Sequence, residues 1–234
     1  MKFKLTRLLF FTVLLLLHFD NSVSNDNQRN PYNLDLISSP AEYKQSVIEN
    51  PDNAMLDLKE IIPNAVFDIV YAGTNNFTGK QIYDSPEAYL RKPAALALKK
   101  VNDRLNSIGY TLIIRDAYRP YSASLKFFEV YPDTNFVANP KFGSRHNRAC
   151  AVDVSLAKLS NLEEVDVPTM FDDFSEKAHP DYSDISNEAA KNRNLLIEVM
   201  KEFGFTVYPT EWWHFDYRTW ENFKLMDIHF DELD

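Results

Sequence analysis

The segment Glu211–Asp216, "EWWHFD", places a carboxylate, two tryptophans and a histidine side by side near the C-terminus. Tryptophan and histidine are scarce in this sequence, since the 234-residue chain has three Trp and five His. A histidine that binds a metal ion and a nearby glutamate that acts as general base are a pair that suits a hydrolase. Aromatic core packing beside a surface glutamate would explain the same residues without chemistry. In either case we predict a closing strand here.

A second segment, "SRHNRACAVDVSL" (Ser144–Leu156), supplies another histidine and an aspartate. His146 and Asp153 are seven residues apart, which is about 23 Å in a fully extended strand. They can share one ion only if Asn147–Cys150 form a turn and Asp153 lies on the returning strand. Asp153 stands between two valines, and a buried carboxylate needs a partner, which a metal would be. A solvated histidine and an ordinary strand aspartate are the alternative.

If the two segments meet, His146, Asp153 and His214 form a set of two histidines and one carboxylate. Such a set leaves the fourth position of a zinc ion open, as a catalytic zinc site requires. On an ideal strand, however, Glu211 and His214 face opposite sides because they are three residues apart. Either the backbone bends there or only one of them contacts the ion.

A third segment, "IIRDAYRP" (113–120), ends a predicted buried strand with charged residues. An arginine at this exit, Arg115 or Arg119, could stabilise the oxyanion that forms when water attacks an amide carbonyl. The alternative is an arginine–aspartate pair at the surface, which is common and contributes little to stability.

The pattern of apolar residues predicts an α+β fold. The helices are predicted at Pro93–Gly109, where Ala94, Leu98, Val101, Leu105 and Ile108 form one apolar stripe, and at Ser122–Val130. A third helix is predicted to run to Phe203, with Ser186 or Asn187 as its cap. The strands are predicted at 110–116, 149–156, 205–209 and 212–217, and residues 158–186 form an acidic, irregular excursion. Because there is no strict alternation of strand and helix, we expect a single domain with a central, largely antiparallel sheet and flanking helices.

The N-terminus has the order of a secretory signal peptide: three basic residues, an apolar run from Leu8 to Phe19, and small residues that suit cleavage before Asn25. We therefore predict a signal peptide at 1–24, a polar leader at 25–50 and the folded domain at 51–234. The chain would be exported to the periplasm or secreted, with no stable membrane association after cleavage. An uncleaved signal anchor is the alternative, although the run is short for a membrane span of about 20 residues.

Charge and cysteine content exclude other classes of function. The formal net charge is -9 at pH 7 and no Lys/Arg-rich stripe appears, so a nucleic-acid partner is disfavoured. Cys150 is the only cysteine, so no internal disulfide can form. Its alanine neighbours predict a small buried residue and not a nucleophile, which disfavours a cysteine protease.

The chain resembles the zinc D-alanyl-D-alanine dipeptidases of the VanX type, within the zinc D-Ala-D-Ala peptidases that share a hedgehog-like fold. The resemblance covers most of the chain, from about Val66 to Tyr217, and rests on "NNFTGK", "RDAYRP", "SRHNRACAVD", "MFDDF" and "EWWHFD" in that order. The histidine, aspartate and Glu-x-x-His pattern is shared with D,D-carboxypeptidases and related endopeptidases. "NFTGK" and "MFDDF" are more specific to the dipeptidases.

The resemblance implies a role for each motif residue. His146, Asp153 and His214 would bind zinc, Glu211 would be the general base, and Arg119 would stabilise the transition state. The residues implied to line the substrate pocket are Ser144, Tyr71 and Asp172. One departure is visible: Ala149 stands where the family usually has glycine. If that position needs a positive φ, alanine would strain the turn.

Three functions remain open on the sequence. The first is a zinc dipeptidase for the small substrate D-Ala-D-Ala, which must enclose a free ammonium with a carboxylate such as Asp172. The second is a D,D-carboxypeptidase or endopeptidase for peptidoglycan stem peptides, which must leave that side open. The third, a zinc-holding module without activity, is disfavoured because both Glu211 and Arg119 are present. The oligomeric state is not predicted.

Overall fold

A five-stranded sheet carries all three segments that the sequence singles out. The protein is described by a computed structural model that covers Asn30–Leu233, so the predicted signal peptide at 1–24 lies outside the described residues. The chain from Leu34 onward forms one compact unit. Within residues 30–233 the strands are β1 Leu36–Ile37, β2 Met55–Asp57, β3 Val66–Phe67, β4 Tyr89–Arg91, β5 Tyr110–Asp116, β6 Ala151–Lys158, β7 Phe205–Tyr208, β8 Glu211–Tyr217 and β9 Leu225–Met226. The α-helices of the same residues are α1 Pro40–Glu49, α2 Leu58–Ile61, α3 Lys92–Asn106, α4 Tyr121–Val130 and α5 Asn187–Glu202.

The main sheet has the strand order β3-β5-β6-β8-β7, in which only β3 and β5 are parallel. Its register aligns three polar side chains across neighbouring strands. Asp116 on β5 lies opposite Asp153 on β6, and Asp153 lies opposite His214 on β8. The prediction of an α+β domain with a largely antiparallel central sheet is confirmed.

Asp116, Asp153 and His214 thus form a row across three strands, and two irregularities of the sheet lie beside this row. The pairing of β5 with β6 shifts between Ile114 and Asp116. The pairing of β7 with β8 shifts between Val207, which faces Phe215, and Tyr208, which faces Glu211. The second shift gives β8 three more residues than β7 between paired positions, so it bends. Bulges of this kind redirect side chains and are common beside active sites.

Helix α3 packs its apolar stripe against the sheet. Leu98, Val101 and Leu105 are fully buried, as their spacing predicts. Ile108 was assigned to the same stripe, and that prediction is wrong: the helix ends at Asn106, and Ile108 is 40% exposed. The buried Asn102 accepts hydrogen bonds from the backbone of Leu112 and from a neighbouring hydroxyl, so it ties the helix to β5.

The segment predicted as a polar leader contains regular structure that the sequence analysis did not identify. Helix α1 begins with a capping box in which Ser39 and Glu42 satisfy each other's backbone N–H groups. Strand β1 pairs in parallel with β9, so Leu36 lies opposite Leu225 near the other end of the chain. The domain boundary at residue 51 stays a prediction. Within residues 30–233, every helix is too short or too polar to cross a membrane.

Cys150 should be inert in the folded protein. Its side chain is fully buried immediately before β6, and burial raises the pKa of the thiol to about 12. Because the thiolate is the reactive form, we expect almost no alkylation by iodoacetamide in the native protein at mildly alkaline pH. The same chain in urea should react completely, since a free thiol has a pKa of about 8.5. Mass spectrometry of both samples measures this, and rapid alkylation of the native chain would contradict the burial.

Candidate metal centre and active site

A short turn brings His146 into contact with the row of side chains on the sheet. Residues His146–Arg148 form one 3-10 turn, and Ala149 ends it in the left-handed region, with φ 56 and ψ 37. The chain then enters β6, which carries Asp153. A non-glycine residue in this conformation costs about 1–2 kcal/mol. The turn expected at Asn147–Cys150 is therefore present, and the strain expected of Ala149 is located there.

Buried hydrogen bonds hold this turn in place. The Asn147 side chain donates to the carbonyl of Arg119 at 2.9 Å and to the hydroxyl of Ser124 at 2.8 Å, and it accepts from the backbone of Ser144 at 2.7 Å. The Ser144 hydroxyl accepts from the backbone N–H of His146 at 3.2 Å. The turn is thus fixed to the loop after β5, which also carries Arg119.

The structure brings together the three residues that the sequence proposed as metal ligands. His146 Nε2 lies 3.1 Å from His214 Nδ1 and 3.4 Å from Asp153 Oδ1. His214 Nδ1 lies 2.9 Å from Asp153 Oδ1. All three residues are buried, and in the part of the chain from 30 to 233 they form the group of side chains that could hold a metal ion.

The outer nitrogen of each histidine has its own hydrogen-bond partner. His146 Nδ1 lies 2.7 Å from the carbonyl oxygen of Ala117, so it must carry a proton. His214 Nε2 lies 3.1 Å from Asp216 Oδ1 and donates to that carboxylate. In the neutral rings the inner nitrogens then present lone pairs to each other and to Asp153. A carboxylate or carbonyl behind a metal-binding histidine is the usual arrangement that fixes its tautomer.

Three converging acceptors favour a cation between them. Asp153 Oδ1 is buried, with His214 Nδ1 at 2.9 Å and His146 Nε2 at 3.4 Å. Burial opposes charge on His214, but hydrogen bonds to Asp153 and Asp216 raise its pKa well above the ordinary value, so a positive charge is favoured at this place. Glu211, Asp116 and Asp172 add further acidic groups nearby. The residues present therefore fit a small divalent cation, which would compensate this excess of negative charge.

Glu211 faces the same cluster from β8. Its Oε2 lies 3.7 Å from His214 Nδ1, because the bend in β8 turns both side chains to one side. Burial raises the pKa of Glu211 to about 7, and the nearby His214 opposes that rise. A carboxylate that gains and loses a proton near neutral pH is suited to general acid–base work.

Arg119 enters the cavity while Arg115 does not. Asp116 Oδ2 accepts from Arg119 Nε at 3.1 Å and from Nη2 at 2.7 Å, and the guanidinium lies 4.5 Å from the centre of the Phe127 ring. Burial opposes charge on Arg119, but Asp116 raises its pKa well above the ordinary value, so it stays protonated. Arg115 instead pairs with Asp68 and Glu164 outside the main cavity.

Asp172 is a further carboxylate in the lining of the cavity, and it contacts the aromatic residue Tyr71. The Tyr71 hydroxyl donates to both carboxylate oxygens of Asp172, at 3.0 and 3.1 Å. Burial raises the pKa of Asp172 well above its ordinary value, and Asp153 adds to the rise. The ring of Tyr71 belongs to a cluster of aromatic rings with Phe77, Phe127, Phe171 and Phe174. Asp172 has φ 59, a strained conformation of the kind that clusters at functional sites.

One cavity of about 870 Å³ connects these groups. It contains the three candidate ligands, Glu211, Arg119 and the pocket residues Ser144, Tyr71 and Asp172. All eight residues singled out from the sequence are thus brought to one place. The sequence analysis did not assign Asp116, Asp216 or Arg145, although all three stand inside the quoted segments. Arg145 and Asp216 lie within two residues of a candidate ligand, and Asp116 lies three residues before Arg119. This proximity in sequence is the signal that could have identified them.

The chain matches a known protein family and several curated relatives. A family model described as "Peptidase_M15: D-ala-D-ala dipeptidase" matches residues 51–231. A D-alanyl-D-alanine dipeptidase of Escherichia coli (strain K12) is 33% identical over 177 residues, which are 75% of this chain and 91% of the relative. A D-alanyl-D-alanine dipeptidase of Enterococcus faecalis (strain ATCC 700802 / V583) is 30% identical over 184 residues, which are 70% and 91%.

A solved structure of the LD-carboxypeptidase LdcB superposes with a TM-score of 0.39 at 21% identity, over 62% of this chain and 68% of that chain. A likeness at that level carries no weight for fold or function.

Proposed function

The chain belongs to the Peptidase_M15 family of D-Ala-D-Ala dipeptidases, and from this premise we propose that it hydrolyses the free dipeptide D-Ala-D-Ala with one zinc ion. Membership of the family makes it a metallopeptidase. The single observation that carries the proposal is the convergence of His146 Nε2, His214 Nδ1 and Asp153 Oδ1 within 2.9–3.4 Å of one another. Ligands bound tetrahedrally at about 2.0–2.2 Å are separated by about 3.3–3.6 Å, close to these values.

We assign one task to each residue of the cavity. When bound by His146, Asp153 and His214, zinc would supply Lewis acidity and lower the pKa of a water molecule to about 7. Glu211 takes a proton from the attacking water and delivers it to the leaving amine when the C–N bond breaks. Arg119, fixed by Asp116, donates to the oxygen that becomes negative on the carbonyl. The products are two molecules of D-alanine.

Asp172 and Tyr71 would hold the substrate at its amino end. A buried carboxylate with a raised pKa gains most from a cationic partner, and the ammonium of a free dipeptide is such a partner. Ser144 lies on the cavity wall beside the turn of His146 and is placed to contact the substrate. The aromatic rings around Tyr71 exclude water, which strengthens this charge pair.

A D,D-carboxypeptidase or endopeptidase is the second candidate, and the size of the cavity favours it. At about 870 Å³ the cavity is near the upper end of the range of about 300–1,000 Å³ for ligand pockets, which leaves room for more than a dipeptide.

We also propose that the enzyme acts after export, in the periplasm or outside the cell. This rests on the signal-peptide pattern of residues 1–24 alone. N-terminal sequencing of the exported chain should begin at Asn25, and a chain that keeps Met1 would exclude cleavage.

The direct test combines metal analysis with a stereochemical assay. The purified protein should contain about one zinc per chain, by the ligand count of the site. It should hydrolyse D-Ala-D-Ala and leave L-Ala-L-Ala intact, lose activity with a chelator, and regain it with zinc. His146→Ala should lose zinc, while His179→Ala, a histidine outside the cluster, should keep it. A protein without zinc, or one that prefers L-Ala-L-Ala, would exclude the proposed function.

Glu211→Gln should separate catalysis from metal binding. The amide keeps the shape of the side chain but cannot accept the proton of water. We expect zinc content near that of the parent and a fall in kcat of about 10²–10⁴-fold, the usual contribution of a general base. Loss of zinc in this variant would instead make Glu211 a ligand.

Arg119→Lys should be a severe change, although it keeps the charge. The planar guanidinium contacts Asp116 through two nitrogens and still faces the cavity, which an ammonium cannot reproduce. Losing one oxyanion donor typically costs about 3–4 kcal/mol in the barrier. Arg115→Lys is the matched control because Arg115 lies outside the main cavity, and its kcat should be unchanged. Equal kcat in both variants would assign Arg119 a structural role.

Substrate length distinguishes the two candidate functions. If Asp172 pairs with a free ammonium, N-acetyl-D-Ala-D-Ala should be cleaved far more slowly than D-Ala-D-Ala, because acetylation removes the charge. Asp172→Ala should raise KM for the dipeptide and leave zinc bound, since an ammonium desolvated without a partner costs several kcal/mol. The neighbouring carboxylate supplies the control, Asp173→Ala, which should behave as the parent. Equal cleavage of the acetylated and free dipeptides would favour the carboxypeptidase.

A further inference from the structure

Arg145 is a charged side chain of the cavity to which the proposed mechanism gives no task. It precedes His146 in the chain, and its Nη1 lies 2.9 Å from Asp216 Oδ2. The other oxygen of the same carboxylate, Oδ1, accepts from His214 Nε2 at 3.1 Å. The carboxylate of Asp216 therefore joins Arg145 to a candidate metal ligand through its two oxygens.

We propose that Arg145 is a positioning residue that orients His214 for the metal ion through Asp216. This inference rests on the metal site of the proposed function. The side chain of Asp216 is 12% exposed and that of Arg145 is 34% exposed, so the pair is shielded from solvent on the side of the ligand. An ion pair in such a place is weakened less by solvent than one at the surface.

Two aromatic rings fix the guanidinium of Arg145. Its central carbon lies 4.8 Å from the centre of the Trp220 ring and 5.4 Å from that of Tyr208. The Tyr208 ring in turn lies 5.2 Å from the His214 ring. Stacking of this kind favours arginine over lysine, because a planar guanidinium can lie against a ring while its N–H groups donate in the plane.

The ion pair sets the direction in which the imidazole of His214 points. A carboxylate with one free oxygen can rotate and take the imidazole with it. With Oδ2 held by Arg145, Oδ1 stays in line with His214 Nε2, and Nδ1 stays directed at Asp153 and His146. Arg145 also neutralises one carboxylate beside Asp153 and Glu211. Partners of this outer kind typically change metal affinity about 10–100-fold when removed.

The backbone of Arg145 supports the other histidine. Its carbonyl accepts from the N–H groups of Arg148 and Cys150, at 3.1 and 3.2 Å, across the turn that carries His146. A side-chain substitution leaves these backbone bonds available. The effect of such a substitution can therefore be assigned to the ion pair with Asp216.

Arg148 provides a matched control in the same turn. Its guanidinium lies 5.5 Å from the centre of the Trp220 ring, but it donates to the carbonyl of Phe223 and not to Asp216. Arg148→Gln thus removes one positive charge and one contact with the same tryptophan. It leaves the pair of Arg145 and Asp216 intact.

The test measures zinc affinity of the metal-free full chain by competition with a chromophoric chelator. We expect Arg145→Gln to weaken zinc binding about 10-fold, Asp216→Asn to weaken it by about 10–100-fold, and Arg148→Gln to leave it unchanged. If Arg145 acts through Asp216, adding Arg145→Gln to Asp216→Asn should produce no further loss. The visible spectrum of the cobalt(II) protein should change in the same variants.

Each other outcome overturns the inference. One such outcome is a parent-like zinc affinity of Arg145→Gln, and if its KM for D-Ala-D-Ala is raised at the same time, Arg145 is a substrate contact. Another is a double variant whose loss of zinc affinity is the product of the losses in the two single variants. Circular dichroism checks that each variant folds. If Arg145→Gln does not fold, Arg145→Lys takes its place, and we expect it to lose less zinc affinity than the glutamine variant would. A parent that binds no zinc would overturn the proposed function as well, whereas a parent that binds zinc isolates the inference.

Discussion

The pairing register of β6 with its two neighbours is the constraint on which the rest of the site depends. It places Asp116, Asp153 and His214 in one row across three adjacent strands. A shift of one residue would turn Asp153 to the other face of the sheet. The apolar residues that flank it, Val152 and Val154, are fully buried, so burial specifies this register strongly.

The row concentrates hydrogen-bond acceptors and negative charge in a buried place. Asp153 Oδ1 and the inner nitrogens of two histidines point at one another at 2.9–3.4 Å. Acceptors this close repel one another unless a cation lies between them, and burial makes the repulsion stronger. Backbone and carboxylate partners behind each histidine fix the tautomers that aim these lone pairs inward. A metal ion bound by His146, Asp153 and His214 would compensate this charge.

Two arginine–aspartate pairs flank the cluster and have different surroundings. Arg119 is held by Asp116 and faces the cavity between aromatic rings and the candidate ligands. Arg145 is held between Trp220 and Tyr208 and contacts the carboxylate behind His214. In the first pair Asp116 orients the Arg119 guanidinium, and in the second pair Asp216 contacts the imidazole of His214.

Local sequence patterns predict the main elements that carry the site and the chemical types of its residues. Strand 110–116 and the helix that begins after Ser186 follow from local patterns, because periodic burial and a capping serine act over a few residues. The residues proposed as ligands, base and arginine stand in short motifs and meet in one cavity. Helix α1 was missed because only one of its residues, Tyr43, is buried, so it has no clear apolar stripe.

The way in which these residues face one another depends on contacts between distant parts of the chain. The bend in β8 that lets Glu211 and His214 share one side arises from its pairing with β7, which no local pattern encodes. The choice between Arg115 and Arg119 depends on Asp68 and Glu164, distant residues that hold the first outside the cavity. The contact of Arg145 with Asp216 joins positions 71 residues apart, and such a contact exists only after the chain has folded.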